Sequence, residues 1–362
     1  IWVLSGALAR RAKKSPLHEL VLDHRTLNLV ASLDEFRGRW HSVARQVPDR
    51  QLATLSSRAS VESVGSSTRM EGARMPDHGV DRFLFGPDPR PPTTADERAA
   101  AGYAEALEMV YDAVGGETLD TDFVRRLHGA VTWYSDTAGT ERWEYRRMNL
   151  GVRAFDAGGR PTGTLFQAIP PARIRTQMED LVRWGSHDLD SDEFHPLLVA
   201  AVFMARLLII HPFTEASGRL ARLLATWMLM RSGYSHLPYA SFERVLEESR
   251  STHHRVLGQT ARAGENGRTG LGEWVVFFMR CLAAHRDELL RRIEGQHRKT
   301  RLPELSVRLI DLAREAGRLT MSHAVDLTGA NRNTIKVHLR QLVAQGRLLR
   351  HGGGRGTWYT PA

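Results

Sequence analysis

The stretch from Leu197 to Ile210 is the most apolar part of the chain, and only Arg206 interrupts it. A helix that is apolar on all sides is buried in a protein core, so this run predicts a central buried helix. A membrane span needs about 18 apolar residues or more. No apolar run in the sequence reaches that length, so we expect no membrane partner.

The twelve residues that follow, 211–222, combine the groups that a nucleotide phosphate site requires. They contain one histidine, one glutamate, a run of small residues and two arginines. A loop that opens a helix presents free backbone N–H groups to an anion. Arg219 and Arg222 are three positions apart, so they share a face of the following helix. The segment therefore predicts a phosphate-binding loop at the start of a helix.

This segment resembles the signature loop of the Fic family, which runs His-Pro-Phe-x-Asp/Glu-Gly-Asn-Gly-Arg-x-x-Arg. Seven positions match, namely His211, Pro212, Phe213, Glu215, Gly218, Arg219 and Arg222. Two positions depart, because Ala216 replaces Gly and Ser217 replaces Asn. Fic proteins typically transfer the AMP of ATP to a hydroxyl side chain of a target protein. The resemblance implies a mainly α fold, with a Fic-type helical core, a β-hairpin flap and a small winged helix-turn-helix domain.

The resemblance also implies roles for the residues of the loop. His211 would be the general base that takes the proton from a Ser, Thr or Tyr hydroxyl, and Glu215 would hold Mg²⁺. The phosphates of ATP would be bound by Ala216, Ser217, Gly218, Arg219 and Arg222. An alanine resists any backbone conformation with positive φ, at a cost of roughly 1–3 kcal/mol, and a serine reaches less far than an asparagine. Because of these two departures, the sequence also allows a transferase whose activity is weakened or altered.

A second segment resembles the inhibitory motif of Fic proteins, Ser/Thr-x-x-x-Glu-Gly/Asn. It comprises Ser67, Glu71 and Gly72 with the residues between them. In the family this glutamate pairs with the second arginine of the loop, which implies that Glu71 faces Arg222. A carboxylate there occupies the place of the ATP γ-phosphate and repels it. Without the family, the same spacing is a common pattern of a solvated helix face.

Two further features belong to the resemblance. Residues 149–168 alternate β-branched, aromatic and polar residues around a Gly-rich turn, which predicts a β-hairpin. In Fic proteins such a flap pairs with an extended segment of the target. His253 and His254 stand where the family usually has a tyrosine pair beside the adenine, although both are as readily explained as solvated helix residues.

The sequence divides into three regions. Residues 1–96 are expected to be helical and to carry the inhibitory motif, residues 97–297 to form the Fic core, and residues 302–362 to form the winged helix domain. Residues 294–301 are the best candidate for a linker. Residues 302–362 contain nine Arg and Lys against four Asp and Glu, and such a basic domain suggests a polyanion partner.

In the C-terminal region a turn at 328–331 separates two predicted helices, and the second of these would enter the major groove if the domain reads DNA. The residues suited to bases and phosphates are Asn331, Arg332, Asn333, Thr334 and Lys336. Many winged helices instead contact proteins or dimerise, so a protein-docking role and a homodimer stay open.

Composition restricts the cellular setting. The single cysteine, Cys281, excludes an internal disulfide framework and fits a reducing, cytoplasmic compartment. The first residues are apolar and then basic, which is the wrong order for a secretory signal. The missing initiator methionine suggests a trimmed or incomplete N-terminus.

The sequence thus predicts an autoinhibited protein adenylyltransferase with ATP as substrate and Mg²⁺ as cofactor. Two alternatives remain. One is a DNA-binding regulator whose Fic core has lost most of its catalysis. The other is an enzyme that removes AMP from a target, in which Glu71 would position the attacking water.

Overall fold

The computed structural model describes residues 15–87, 90–136, 143–156, 158–191, 193–263, 268–300, 303–353 and 356–361. The chain folds as two compact units, divided between residues 289 and 290. The predictions made for the N-terminal 14 residues, for Ala157 in the hairpin turn and for Arg301 lie outside the described residues.

The first unit is mainly helical, as predicted. Its helices are α1 (His24–Arg45), α2 (Asp49–Arg69), α3 (Asp77–Phe85), α4 (Ala95–Ala113), α5 (Thr121–Val131), α6 (Pro171–Asp190), α7 (Pro196–Ile210), α8 (Ser217–Arg231), α9 (Phe242–Glu248), α10 (Arg250–Arg262) and α11 (Arg268–Thr300). Thr94 caps the start of α4 in a capping box with Glu97. None of the helices in the described ranges has the length and apolarity needed to cross a bilayer.

Helix α7 is the centre of this unit. It packs against α6, α8 and α10, and most of its side chains are fully buried. The predicted buried helix at 197–210 is therefore correct. Pro196 begins the helix at a position where a missing N–H costs nothing.

The predicted flap is an antiparallel hairpin of β1 (Gly151–Phe155) and β2 (Pro161–Gln167). The register shifts twice within β1, once between Val152 and Arg153 and once between Ala154 and Phe155. Such irregularities bend a hairpin. At the turn, the Asp156 side chain accepts hydrogen bonds from the backbone N–H groups of Gly158 and Arg160, both at 2.8 Å.

Helix α11 continues across the division into the second unit, whose described part also contains three further helices and a three-stranded antiparallel sheet with the order β3-β5-β4. Its elements are α12 (Glu304–Ala316), β3 (Leu319–Thr320), α13 (Met321–Thr328), α14 (Arg332–Ala344), β4 (Leu348–His351) and β5 (Trp358–Pro361). A separate core includes Leu309, Leu339 and Tyr359. The predicted turn at 328–331 separates α13 from α14. Val337 on α14 is 51% exposed.

The linker candidate at 294–301 has a different structure from a loop. Helix α11 continues through Thr300, so the segment is helical as far as it is described. Its polar, basic composition suits a solvated helix as well as a linker, because Lys, Arg, Glu and Gln are all good helix formers.

Candidate active site

The loop between α7 and α8 is defined by two residues with left-handed backbone. His211 ends α7 with φ +48°, and Ala216 begins α8 with φ +60°. Left-handed backbone costs an alanine about 1–2 kcal/mol. A glycine at this position, as in the Fic motif, avoids that cost. In this chain the loop keeps the left-handed conformation, with backbone strain at Ala216.

Ser217 holds the loop closed. Its hydroxyl donates to the Phe213 carbonyl oxygen and accepts from the Phe213 backbone N–H, both at 3.2 Å. The residue is buried, and its side chain bonds to the loop itself. Ser217 could therefore contribute to phosphate binding through its backbone N–H, while its hydroxyl has a structural role.

A second contact fixes the loop from α5. The Phe213 ring stacks on the His128 ring at 3.6 Å between centroids. His128 Nε2 donates to the Glu215 carbonyl oxygen at 3.1 Å. Sequence reasoning missed His128, because a lone histidine on a helix carries no signal of its own.

Arg146 is a further residue that the sequence did not reveal. Its buried guanidinium donates to the carbonyl oxygens of His211 at 2.8 Å and Met148 at 2.7 Å, and also to that of Ile169. Its backbone N–H donates to the Pro212 carbonyl oxygen at 2.9 Å. Arg146 therefore joins both ends of the flap to the backbone that presents His211.

The surroundings of His211 favour the neutral form of its imidazole. Burial lowers the pKa of His211 below its ordinary value, and the Glu71 carboxylate opposes this only in part. Within the described residues, its Nδ1 is buried without a hydrogen-bond partner. A neutral imidazole near pH 7 is the state in which a histidine can accept a proton.

Glu71 lies on the start of α8. Its Oε1 accepts from the backbone N–H of Arg219 at 2.6 Å and from Arg222 Nη2 at 3.1 Å, and its Oε2 accepts from Arg219 Nε at 2.8 Å. The predicted pairing with Arg222 is present, and Arg219 adds two contacts. Burial alone would raise the pKa of Glu71, but the two guanidinium groups outweigh it and lower the pKa below its ordinary value.

The carboxylate therefore takes the position where a helix N-terminus binds an anion. Gly218 makes room for it, because a Cβ at Gly218 would lie 2.5 Å from Glu71 Oε1. The same backbone was expected to bind phosphate.

Ser67 orients the second arginine. Its hydroxyl accepts from Arg222 Nε at 2.8 Å, and its carbonyl oxygen accepts from Arg222 Nη2 at 2.9 Å. The spacing of the motif explains this arrangement, since residues four apart lie on one face of a helix. Ser67 and Glu71 thus contact the same guanidinium.

Gly72 follows Glu71 in the turn that closes the end of α2. Its φ is +102°, and two backbone bonds close the helix, from Gly72 N–H to the Arg69 carbonyl and from Ala73 N–H to the Thr68 carbonyl, both at 3.2 Å. This is the Schellman type of ending, which favours Gly or Asn at the left-handed position. This helix ending at Gly72 therefore fixes where Glu71 points.

Glu215 has the chemistry of a magnesium ligand. Its carboxylate accepts a hydrogen bond from the Ser135 hydroxyl. Within the described ranges, no three His, Cys, Asp or Glu side chains cluster as a complete metal cage. Mg²⁺ commonly needs only one or two carboxylates together with substrate phosphates and waters, so a single glutamate fits.

The two histidines of α10 differ. His253 is buried, with its ring edge-on to Trp274 at 5.5 Å, and neither ring nitrogen has a hydrogen-bond partner among the described residues. The interpretation of His253 as a solvated residue is therefore wrong, because it packs on the core of α11. His254 is partly exposed, and burial lowers its pKa too.

The residues proposed to contact DNA are all in the second unit and all exposed. They are Asn331, Arg332, Asn333, Thr334 and Lys336. Asn331 caps α14 by accepting the Asn333 backbone N–H at 2.8 Å. The structure therefore brings the five residues together at the start of one helix.

Comparison with known structures assigns a class to the fold. A Fic family protein from Desulfovibrio desulfuricans G20 aligns with a TM-score of 0.64 at 20% identity, over 95% of this chain and 98% of that one. A Fic domain containing signaling protein from Bacteroides thetaiotaomicron VPI-5482 aligns with a TM-score of 0.58 at 22% identity, over 74% of this chain and 97% of that one. The fold is that of the Fic proteins.

Sequence comparison leads to the same family. Residues 118–229 match the Fic/DOC family, and residues 288–358 match a family described as bacterial protein of unknown function (DUF977). The chain is 36% identical over 235 residues to protein adenylyltransferase fic-1 of Caenorhabditis elegans, which covers 64% of this chain and 42% of that protein. The chain thus contains a Fic/DOC family domain, and it spans less than half the length of this curated relative.

Proposed function

We propose that this protein is an autoinhibited protein adenylyltransferase that transfers AMP from ATP to a Ser, Thr or Tyr hydroxyl of a target protein. The observation that carries the proposal is the Glu71 carboxylate on the N-terminus of α8, bonded to Arg219 and Arg222. A loop that binds one anion in this way can bind another, and similarity to curated adenylyltransferases indicates that the other anion is the phosphate chain of ATP.

In this proposal His211 accepts the proton of the target hydroxyl. The hydroxyl oxygen then forms a bond to the α-phosphorus, and the bond from that phosphorus to the bridging oxygen breaks, so pyrophosphate leaves. Arg219 and Arg222 stabilise the phosphate charge, together with the first backbone N–H groups of α8. Glu215 would hold Mg²⁺, whose charge neutralises the phosphate oxygens.

Two other groups complete the proposed nucleotide site. His253 and His254 would lie beside the adenine. Because the His253 ring nitrogens have no partner in the described residues, they could take one from the base. The flap would hold the target by main-chain pairing, which selects an extended segment.

Inhibition follows from competition for one position. While Glu71 contacts Arg219 and Arg222, the ATP γ-phosphate meets both an occupied guanidinium and a negative charge. We expect Glu71→Gly to raise ATP affinity and self-labelling with α-labelled ATP and Mg²⁺. The isosteric Glu71→Gln should give an intermediate gain, because it keeps an acceptor but loses the charge.

Glu108 on the exposed face of α4 provides the matched control. Glu108→Gln should leave labelling unchanged. Equal labelling of the wild type and a well-folded Glu71→Gly would refute autoinhibition.

A second function is supported by the exposed residues at the start of α14. We propose that the second unit is a winged helix that binds DNA through Asn331, Arg332, Asn333, Thr334 and Lys336. Its excess of basic residues favours a polyanion, and its helices and antiparallel sheet suit the expected docking geometry.

A further inference from the structure

A single guanidinium connects the flap hairpin to the end of α2. Arg250, the first residue of α10, donates to the carbonyl oxygens of Phe155 at 3.3 Å and Asp156 on the flap. It also donates to the Arg69 carbonyl oxygen at 3.1 Å, in the last turn of α2. The Arg250 side chain is 11% exposed, and Glu247 accepts from it at 3.3 Å.

The contacted carbonyl lies close to the inhibitory glutamate. The Arg69 carbonyl also accepts the Gly72 backbone N–H that helps to end the helix. Arg250 therefore bonds to the peptide group that fixes the helix end, two residues before Glu71. Glu247 holds the same end through a two-pronged ion pair with Arg69, with both N–O distances at 2.8 Å.

The backbones of the flap and the motif also touch. A Cβ at Gly72 would lie 3.0 Å from the Phe155 ring, and a Cβ at Gly159 would lie 2.6 Å from the Gly72 carbonyl oxygen. The turn of the hairpin thus packs directly on the residue that follows Glu71. A movement of the hairpin cannot leave this helix end unchanged.

We infer that Arg250 is a positioning residue that makes the inhibitory position of Glu71 depend on the flap, so that a target segment pairing with the flap weakens inhibition. The inference rests on the proposed adenylyltransferase function. An incoming strand needs main-chain acceptors of the hairpin. Arg250 occupies the carbonyl oxygen of Phe155, the last residue of β1, and also bonds to the Asp156 carbonyl oxygen in the turn. Target and Arg250 therefore compete for the same carbonyl oxygens.

The coupling has a thermodynamic consequence. If target binding frees Arg250, the end of α2 loses a charge-assisted hydrogen bond, and the start of α8 is released for phosphate. Coupling between two ligands is reciprocal. The target therefore raises the affinity for ATP, and ATP raises the affinity for the target by the same factor.

The test measures MgATP affinity by calorimetry on the full chain, with Glu71 and with Glu71→Gly. With Glu71 present, Arg250→Ala should bind ATP at least about fivefold more tightly than wild type, which is the lower end of typical coupling. In the Glu71→Gly protein, the same substitution should produce no gain. Arg255 on the exposed side of α10 contacts Gln259, and Arg255→Ala should change neither affinity.

Two results would overturn this inference and leave the proposed autoinhibition standing. One is that Arg250→Ala does not raise ATP affinity although Glu71→Gly does. The other is that Arg250→Ala raises ATP affinity equally with Glu71 and with Glu71→Gly. No effect of Glu71→Gly would defeat the proposed autoinhibition itself. Arg250→Lys serves if the alanine variant does not fold, because a lysine lacks the fork that spans both elements. Amide exchange at Gly72 and Ala73 should also be faster in the Arg250 variant and unchanged in Arg255→Ala.

Discussion

His211 combines a strained backbone with a partly buried ring whose pKa is lowered. Its carbonyl is held by Arg146, so the residue is fixed at the end of α7 while the ring stays available. We expect His211→Ala to abolish transfer and to leave ATP affinity nearly intact, because the base acts on the target hydroxyl. Parallel loss of transfer and ATP binding would mean that His211 serves the loop structure only.

The pH dependence of transfer tests the same residue. The pKa of His211 is lowered, so the ring stays neutral to a pH below the ordinary histidine value of about 6.5. In the Glu71→Gly protein, the acid limb of the rate profile should therefore lie below about pH 6.5. A limb above that value would contradict a buried neutral base.

His253 makes a separate prediction about stability. Burial lowers its pKa to about 3, so the unfolded chain binds a proton between about pH 6.5 and 3 and the folded protein does not. The free energy of unfolding should then fall with decreasing pH in that window, by about 1.4 kcal/mol per pH unit for this group. His253→Phe should flatten the decline, as measured by urea unfolding at pH 7 and 5. An identical decline in both proteins would show that His253 is charged in the fold.

At the scale of elements, the contact of Glu71 with α8, which we propose to be inhibitory, depends on how α2 ends. Gly72→Ala places a Cβ on a residue at φ +102° and 3.0 Å from the Phe155 ring. We expect this substitution to shift Glu71 and to raise self-labelling towards the level of Glu71→Gly. The strain should also lower the free energy of unfolding by roughly 1–3 kcal/mol.

Gly38 on α1 is the control for this substitution. It is exposed, and a Cβ there would meet nothing within 4 Å. Gly38→Ala should stabilise the protein by about 0.5–1 kcal/mol without changing labelling. If Gly72→Ala labels itself only as much as the wild type, the way α2 ends does not control inhibition.

The elements of this chain were largely predictable because their signals are local. The apolar run predicted α7, the Gly-rich turn predicted the hairpin, and the turn at 328–331 predicted the start of α14. The site was predicted only through its motifs. Arg146, His128 and Arg250 act on residues far away in sequence, and no spacing rule connects them to the loop.

At the scale of the whole molecule, the basic second unit carries the prediction about DNA. If the start of α14 contacts phosphates, affinity should fall steeply with salt, because each neutralised phosphate releases counterions. Lys336→Glu should weaken binding and make the salt dependence shallower in a gel-shift series with the full chain.

Arg314 on α12 provides the comparison, since it lies 3.8 Å from Asp311 and outside the proposed contact. Arg314→Glu should weaken binding less than Lys336→Glu. Absence of binding at low salt would leave a protein-docking role for the second unit.

The covalent connection between Glu71 and α8 has a consequence for how the protein would respond to its surroundings. Because Glu71 belongs to the same folded unit as α8, it competes with ATP intramolecularly, at an effective concentration that the fold fixes. Dilution of the protein does not weaken such a competitor, whereas an inhibitor supplied by a second subunit would dissociate. Under the proposed function, the basal activity of each molecule is therefore set by the ratio of free nucleotide to this internal concentration, independently of how many copies the cell contains.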